Sequence, residues 1–151
     1  MNPFAAPNFP PTDPDWKEKV VRSFAEQGFM SLLGAELVRV EPGLVEIAIA
    51  YRPDLTQQNG YFHAGVTTTL ADNAGGYAAY SLFPPHSLVL TAEMKISLVA
   101  PAAGDRLRAI GKVVKPGRML TTCDVEVFAE RSDGYRLCAK MLQTLAQLEP
   151  R

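Results

Sequence analysis

A histidine, an alanine and an aspartate lie close together in the segment from residue 59 to residue 73, NGYFHAGVTTTLADN. His63 and Ala64 come directly before a run of small and apolar residues, and Asp72 lies inside that run. Backbone N–H groups at the start of a helix lack internal partners and carry partial positive charge. They can therefore polarise a carbonyl group and stabilise an oxyanion. A carboxylate nearby can act as nucleophile or as general base.

Each of these residues also has a purely structural interpretation. The structural role of Gly65 would be to permit close packing. The structural role of His63 would be to cap the loop before the helix. Asp72 is explained if it lies on the solvated outer face of the helix. Its neighbours are small or apolar, however, and buried carboxylates are uncommon unless they are paired or functional. The N–H groups of Ala64, Gly65 and Val66 are the candidates for electrophilic help.

The spacing of the two groups predicts an oligomer. Ala64 and Asp72 are eight residues apart, which corresponds to about 12 Å along a helix. The carboxylate therefore does not easily reach a carbonyl group held at the start of its own helix. A second subunit with its helix alongside would bring its Asp72 to this Ala64. If both groups act on one substrate, we expect a homodimer with two equal sites at the interface.

The elements that position these residues follow from hydrophobic spacing and turn residues. Residues 1–14 hold five prolines, which predicts an arm without helix or strand that drapes over a partner subunit or is disordered. Asp13 or Asp15 is expected to cap the next helix, with Pro14 in its first turn. After this arm we expect a single domain that comprises residues 15–151. We expect helices at 16–33, interrupted by Gly28, and at 64–82, and strands at 35–40, 44–51, 87–99, 106–115, 119–131 and 135–148.

These elements predict an α+β domain. Short connections favour antiparallel neighbours, and the second helix is rich in alanine and glycine, so a sheet can wrap tightly round it. We expect one central helix wrapped by a single antiparallel sheet of about six strands, with an N-terminal helix. In the strand at 87–99 the even-numbered residues from Leu88 to Leu98 are apolar and are expected to share one face.

Composition excludes several classes of function. The 151 residues carry a formal net charge of −1, which gives no electrostatic case for binding nucleic acid or an anionic membrane surface. Cys123 and Cys138 stand in apolar runs and are expected to be buried free thiols, which favours a reduced, cytoplasmic setting. The first residues do not show the pattern of a signal peptide, and no apolar run approaches about 20 residues, so we expect neither a signal peptide nor a membrane span in this sequence. Two isolated histidines and scattered thiols do not form a metal site.

Several motifs together resemble those of one known family. The segment QQNGYFHAG at 57–65, followed by LAD at 70–72, resembles the signature of hotdog-fold acyl-CoA thioesterases of the phenylacetate-pathway (PaaI) type. LTAEMKI at 90–96, PAAGD at 101–105 and PGR at 116–118 resemble that family's strand and turns. The resemblance covers about residues 30–147. It implies a hotdog fold and hydrolysis of an acyl-CoA or aryl-CoA thioester, with CoA as part of the substrate and no cofactor. It also implies a homodimer that pairs into a tetramer.

The resemblance also implies roles for individual residues. Asp72 would be the catalytic carboxylate, as nucleophile or as general base, and the Ala64 N–H would polarise the thioester carbonyl. Ala64 stands where the family has glycine. His63 would support this loop or lie near the thioester sulfur, and Gln57 would position the water or the carboxylate. Further substrate contacts are expected from Gly65, Asn59 and Thr91. Lys115 and Arg118 are expected to meet CoA phosphates because of their positive charge and their position at a turn.

Two other functions fit the same fold. One is a non-catalytic module that binds acyl-CoA, although such a module has little use for a carboxylate beside a thioester. The other is a hydratase or dehydratase acting on enoyl or hydroxyacyl thioesters. Enzymes of that kind pair a carboxylate with a histidine, for which this chain offers His63 and His86.

Overall fold

One long helix and a six-stranded antiparallel sheet make up most of the protein. The computed structural model describes residues 5–150, so Pro3 of the predicted arm lies outside the described residues. The strands pair in the order β1-β2-β4-β5-β6-β3, and every pair is antiparallel. This confirms the predicted α+β architecture. The elements are α1 (Trp16–Ala25), α2 (Gly28–Leu33), β1 (Ala35–Glu41), β2 (Leu44–Ala50), α3 (Ala64–Tyr80), β3 (Leu88–Leu98), β4 (Arg106–Lys115), β5 (Leu120–Arg131) and β6 (Gly134–Leu148).

The helix α3 lies against the middle of the sheet, mainly on β2, β4 and β5. Small side chains allow this close approach. A β-carbon added at Gly111 of β4 would lie only 2.4 Å from the backbone carbonyl of Ala74. The buried apolar face of α3 consists largely of alanine, with Ala71, Ala74, Ala78 and Ala79 fully covered. The central helix is therefore held at a fixed depth in the curve of the sheet, which fixes the position of Asp72.

The first predicted helix is two helices. Residues Glu26 and Gln27 separate α1 from α2, and α2 ends at Gly34, which has a φ of 69°. Glycine suits this left-handed conformation because it has no β-carbon. The central helix ends at Tyr80 rather than at the predicted residue 82. The remaining strand boundaries agree with prediction to within one residue.

The capping prediction for α1 is wrong in its detail. Asp15 occupies the N-cap position, but its side chain makes no capping hydrogen bond. The carboxylate of Asp13 instead accepts from the Asp15 N–H at 2.9 Å and pairs with Lys19 at 3.0 Å. Lys19 also donates to the carbonyl oxygens of Phe83 and Pro84. This buried pair ties the start of α1 to the chain that follows α3.

The described part of the N-terminal arm, residues 5–14, contains neither helix nor strand. These residues contact the rest of the chain. Phe9 packs against the core, and the Thr12 hydroxyl donates to the Leu82 carbonyl oxygen at 2.8 Å. Pro7 lies against Gly43 in the turn between β1 and β2.

The strand β3 does not keep one alternation along its length. Its pairing with β6 shifts between Thr91 and Glu93, so Ala92 forms a β-bulge. Thr91 faces α3, and so does Met94, which lies opposite Gln143 of β6. The side that faces the helix thus passes from odd-numbered to even-numbered residues. The predicted single apolar face of this strand is therefore wrong.

Both cysteines are buried and free, as predicted. Burial raises the pKa of the Cys123 thiol to about 12 and that of Cys138 to about 11. Near neutral pH both thiols are protonated and are poor nucleophiles. Within residues 5–150, no helix has the length and apolar character needed to cross a membrane.

Candidate active site

The start of α3 presents backbone donors to an open cavity. His63 is the N-cap, and its Nδ1 accepts from the Gly65 N–H at 2.8 Å. The Thr67 N–H donates to the His63 carbonyl oxygen at 3.1 Å. Among the described residues, the N–H groups of Ala64 and Val66 have no recorded acceptor. His63 therefore caps the helix, and Ala64 rather than Gly65 offers a free donor.

The loop before α3 is held to the sheet by backbone hydrogen bonds. The Phe62 N–H donates to the Ala102 carbonyl oxygen at 3.0 Å, and the His63 N–H to that of Leu55 at 2.9 Å. Gln57 turns the loop, since its side-chain oxygen accepts from the Asn59 N–H. The amide nitrogen of Gln57 takes no part in this contact, so it can donate a hydrogen bond to another group.

Gln57 and Ala64 line the same cavity, of about 440 Å³. The end of β3 and the segment after it form the opposite wall, with Leu98, Val99 and Pro101. Gln57 therefore lies beside the start of α3, whereas Asp72 of the same chain does not line this cavity. Asn59 is exposed and does not line this cavity.

Asp72 lies two turns along α3 in a cluster of polar groups. Its Oδ1 accepts a hydrogen bond from the Thr91 hydroxyl at 2.6 Å and a short one from Gln143 Nε2. Gln143 Nε2 also lies 3.1 Å from Thr91 Oγ1. Asp72 is half-buried, so it does not lie on a solvated outer face. Sequence reasoning placed Thr91 here but missed Gln143.

A second cavity, of about 290 Å³, opens beside Asp72. Gly76 lies one turn further along α3 and also lines this cavity. A β-carbon added at Gly76 would have no atom within 4 Å. The rest of the lining is Gln27, Asn73, Tyr77, Val89, Leu90, Thr91 and Leu145.

The part of this cavity next to Tyr77 is polar. The Tyr77 hydroxyl accepts from Gln27 Nε2 at 2.6 Å and lies 3.2 Å from the Ser23 hydroxyl. Burial raises the pKa of Tyr77 above its ordinary value of 10.0, and the hydrogen bonds with Ser23 and Gln27 only partly offset this. Tyr77 is therefore a neutral hydroxyl near pH 7 and acts as a hydrogen-bonding group rather than as an acid.

Within the chain the two cavities have no lining residue in common. The helix start with Ala64 therefore lies apart from Asp72. Lys115 and Arg118 are exposed and line neither cavity. They lie at the β4–β5 end of the sheet, away from the start of α3.

No histidine lines the cavity beside Asp72. His63 is used as the helix cap, and His86 lies in the exposed loop before β3. Within residues 5–150, no cluster of three or more His, Cys, Asp or Glu side chains is arranged to hold a metal ion.

Comparison with known sequences shows similarity to enzymes that cleave thioesters. The sequence model of the thioesterase superfamily matches residues 59–134, which contain both the start of α3 and Asp72. A 1,4-dihydroxy-2-naphthoyl-CoA hydrolase of Listeria monocytogenes is 23% identical, over 68% of this chain and 84% of its own length.

Solved structures agree with the fold. A thioesterase family protein from Silicibacter pomeroyi is 42% identical, with a TM-score of 0.88 over 89% of this chain and 99% of that protein. The PaaI protein of the Escherichia coli phenylacetic acid degradation operon is 18% identical in sequence, with a TM-score of 0.79. The match covers 89% of this chain and 94% of the PaaI chain. The latter supports the fold alone.

Proposed function

The chain belongs to the thioesterase superfamily, and from this premise we propose that it hydrolyses acyl-CoA or aryl-CoA thioesters at two sites of a homodimer. Each site combines Asp72 of one subunit with the start of α3 of the other. The products are a carboxylate and free CoA. The separation of the Ala64 and Asp72 cavities within one subunit is the observation that carries this proposal.

The edge strand β3 supports the choice of interface. It pairs only with β6 in the described residues, so its other edge is open to a second copy. Met94 and Leu98 lie on the side of the sheet that faces α3, yet they are 45% and 54% exposed. Exposed apolar side chains at an open strand edge favour association. A twofold axis across β3 would place Thr91 and Asp72 of one subunit towards Leu98 and Ala64 of its partner.

The chemistry follows from the two groups. Asp72 takes a proton from water while the water oxygen bonds to the thioester carbon. The carbonyl oxygen becomes negative and accepts from the Ala64 N–H at the positive end of α3. The carbon–sulfur bond then breaks, and the CoA thiolate receives the proton from Asp72. In the alternative route Asp72 attacks the carbon, and the carbon–sulfur bond breaks to expel the CoA thiolate and leave an anhydride. Water then hydrolyses the anhydride, which releases the product acid, frees the Asp72 carboxylate and supplies the proton for the thiolate.

The acyl or aryl group is placed in the cavity beside Asp72. Gly76 leaves room there, and the Tyr77 hydroxyl forms a polar end. The relative from Listeria, named for an aryl-CoA substrate, supports the inclusion of aryl groups. Gln57 lines the Ala64 cavity, where its amide can orient the water. Lys115 and Arg118 lie outside both cavities and are proposed to meet CoA phosphates through their charge.

The test measures release of free thiol from a panel of acyl-CoA and aryl-CoA thioesters. Asp72→Asn should lower the rate by at least about 100-fold, whereas Asp133→Asn, in the exposed turn before β6, should leave it unchanged. Unchanged activity in folded Asp72→Asn would refute the mechanism. Binding without turnover would indicate a binding module, and hydration of an enoyl-CoA would indicate a hydratase.

A further inference from the structure

Gln143 is a polar residue in an apolar row. It lies on β6 with its side chain towards α3, in the same row as Met141 and Leu145, and it is 1% exposed. Burying an amide is unfavourable unless its polar atoms are hydrogen-bonded. An apolar side chain of similar size would suit this position better for stability alone. The amide therefore calls for an explanation beyond packing.

The amide nitrogen of Gln143 is directed at Asp72. It donates to the carboxylate Oδ1 and lies 3.2 Å from the Asp72 backbone carbonyl oxygen. The Thr91 hydroxyl donates to the same Oδ1. Two donors thus converge on one oxygen of the carboxylate, while Oδ2 has no recorded donor among the described residues.

The amide oxygen of Gln143 makes this arrangement costly to the fold. It is buried without a hydrogen-bond partner in the described structure. It occupies the space above Gly75, where an added β-carbon would lie 2.1 Å from it. Reversing the amide would turn this oxygen towards the Asp72 carboxylate and carbonyl, which are also acceptors. The orientation of the amide is therefore fixed by Asp72.

We propose that Gln143 is a positioning residue that, with Thr91, holds Oδ1 of Asp72 and leaves Oδ2 as the oxygen that reacts. The inference rests on the proposed function, because it assigns a task to Asp72 in thioester hydrolysis. A carboxylate fixed at one oxygen cannot rotate away from the water or the thioester carbon. Such fixed geometry lowers the barrier of the chemical step more than it affects substrate binding.

The first test replaces Gln143 by methionine, which keeps the length and removes the donor. We expect kcat for thiol release to fall about 10- to 100-fold and KM to change less than about two-fold. The melting temperature should stay the same or rise, because an amide oxygen without a partner is removed. Gln147→Met, on the same strand and the same face, is the matched control and should keep wild-type kcat.

The second test leaves Gln143 in place and changes Gly75. In Gly75→Ala the new methyl group displaces the amide, so kcat should fall as in Gln143→Met. Combining Gly75→Ala with Gln143→Ala makes room for that methyl group but supplies no donor, so kcat should stay low.

The outcomes separate the two proposals. A folded Gln143→Met variant with kcat near wild type would overturn the positioning role. Recovery of kcat in the double alanine variant would also overturn it, because it would show that only packing matters. If Asp72→Asn is itself fully active, the proposed function fails. If Asp72→Asn is inactive while Gln143→Met is active, only the role of Gln143 fails.

Discussion

The Thr91 hydroxyl lies 2.6 Å from Oδ1 of Asp72, although the two residues belong to an edge strand and to the central helix. The β-bulge at Ala92 follows immediately. Thr91 faces the helix, and beyond the bulge the even-numbered residues of β3 face it instead. The bulge therefore lets one strand give a polar contact to the carboxylate and apolar side chains to the proposed subunit interface. Bulges are frequently found where a strand must redirect its side chains at a functional site.

The hydroxyl of Thr91 is expected to matter through the hydrogen bond that it donates to Asp72. Thr91→Val keeps the shape and removes the donor, so kcat for thiol release should fall about 10-fold. Thr91→Ser keeps the donor and should retain most of the activity. Steady-state kinetics on both variants check this. Equal activity of the valine and serine variants would mean that the hydroxyl has no part in the reaction.

Mixing two inactive variants tests whether the site is shared. Asp72→Asn removes the carboxylate, and Ala64→Pro removes the N–H at a helix position where proline is tolerated. In a mixed dimer one site combines the intact helix start with the intact carboxylate. With random exchange about half of the dimers are mixed, so about a quarter of wild-type activity should return.

The control for this mixing experiment is Ala64→Gly, which keeps the N–H and should be active by itself. Subunit exchange is verified by mass spectrometry on subunits with different tags. If exchange is complete and no activity returns, the site lies within one subunit.

The size of the acyl group is expected to depend on Gly76. Its α-carbon faces the cavity beside Asp72 without a neighbour within 4 Å of an added β-carbon. Gly76→Val should therefore fill part of the cavity and lower kcat/KM for bulky or aryl thioesters about 10-fold or more, while acetyl-CoA is affected least. The measurement is kcat/KM across a series of acyl lengths. A uniform change over the whole series would place the acyl group elsewhere.

The edge of β3 is expected to hold the dimer together. Met94→Lys places a charge on the exposed apolar edge, which opposes association. Light scattering should show a monomer, and thiol release should fall with it. Leu142→Lys, on the opposite face of the sheet, should remain dimeric. A dimeric and active Met94→Lys variant would point to another interface.

The buried pair of Asp13 and Lys19 makes stability depend on pH. Burial alone would raise the pKa of Asp13, but the hydrogen bonds from Lys19 and the Asp15 N–H and the positive charge of Lys19 lower it below its ordinary value of 3.8. The pair therefore stabilises the fold fully above about pH 4. This contribution is lost as the pH falls below the ordinary pKa of an aspartate and through the lowered pKa of Asp13.

Asp13→Asn checks this dependence. At pH 7 it should lower the free energy of unfolding by about 2 kcal/mol, and the difference from wild type should shrink below about pH 4. Denaturant unfolding at several pH values measures it. A difference that stays constant down to pH 3 would show that the carboxylate charge is not what stabilises the pair.

Much of the fold follows from local sequence. The small residues of α3, the turn glycines and the apolar alternation of the later strands predicted the central helix and the antiparallel sheet. These signals are local because helix packing, turns and strand faces depend on residues near one another in the chain. The bulge at Ala92 was missed, and the break between α1 and α2 was indicated only by Gly28, since both depend on how an element fits the surface it packs against.

Some features of the candidate site were likewise predictable from the sequence, and others depended on the tertiary structure. The sequence by itself determined the start of α3 at Ala64, the position of Asp72 two turns later, and the match of Thr91 to a family position. Only the tertiary structure decided that His63 takes up the Gly65 N–H and that Gln143, 71 residues from Asp72, turns its amide onto the carboxylate. A glutamine between Met141 and Leu145 was the available signal. No feature of the sequence identified Asp72 as the partner of this glutamine, because a hydrogen bond between distant elements exists only after the sheet has closed round the helix.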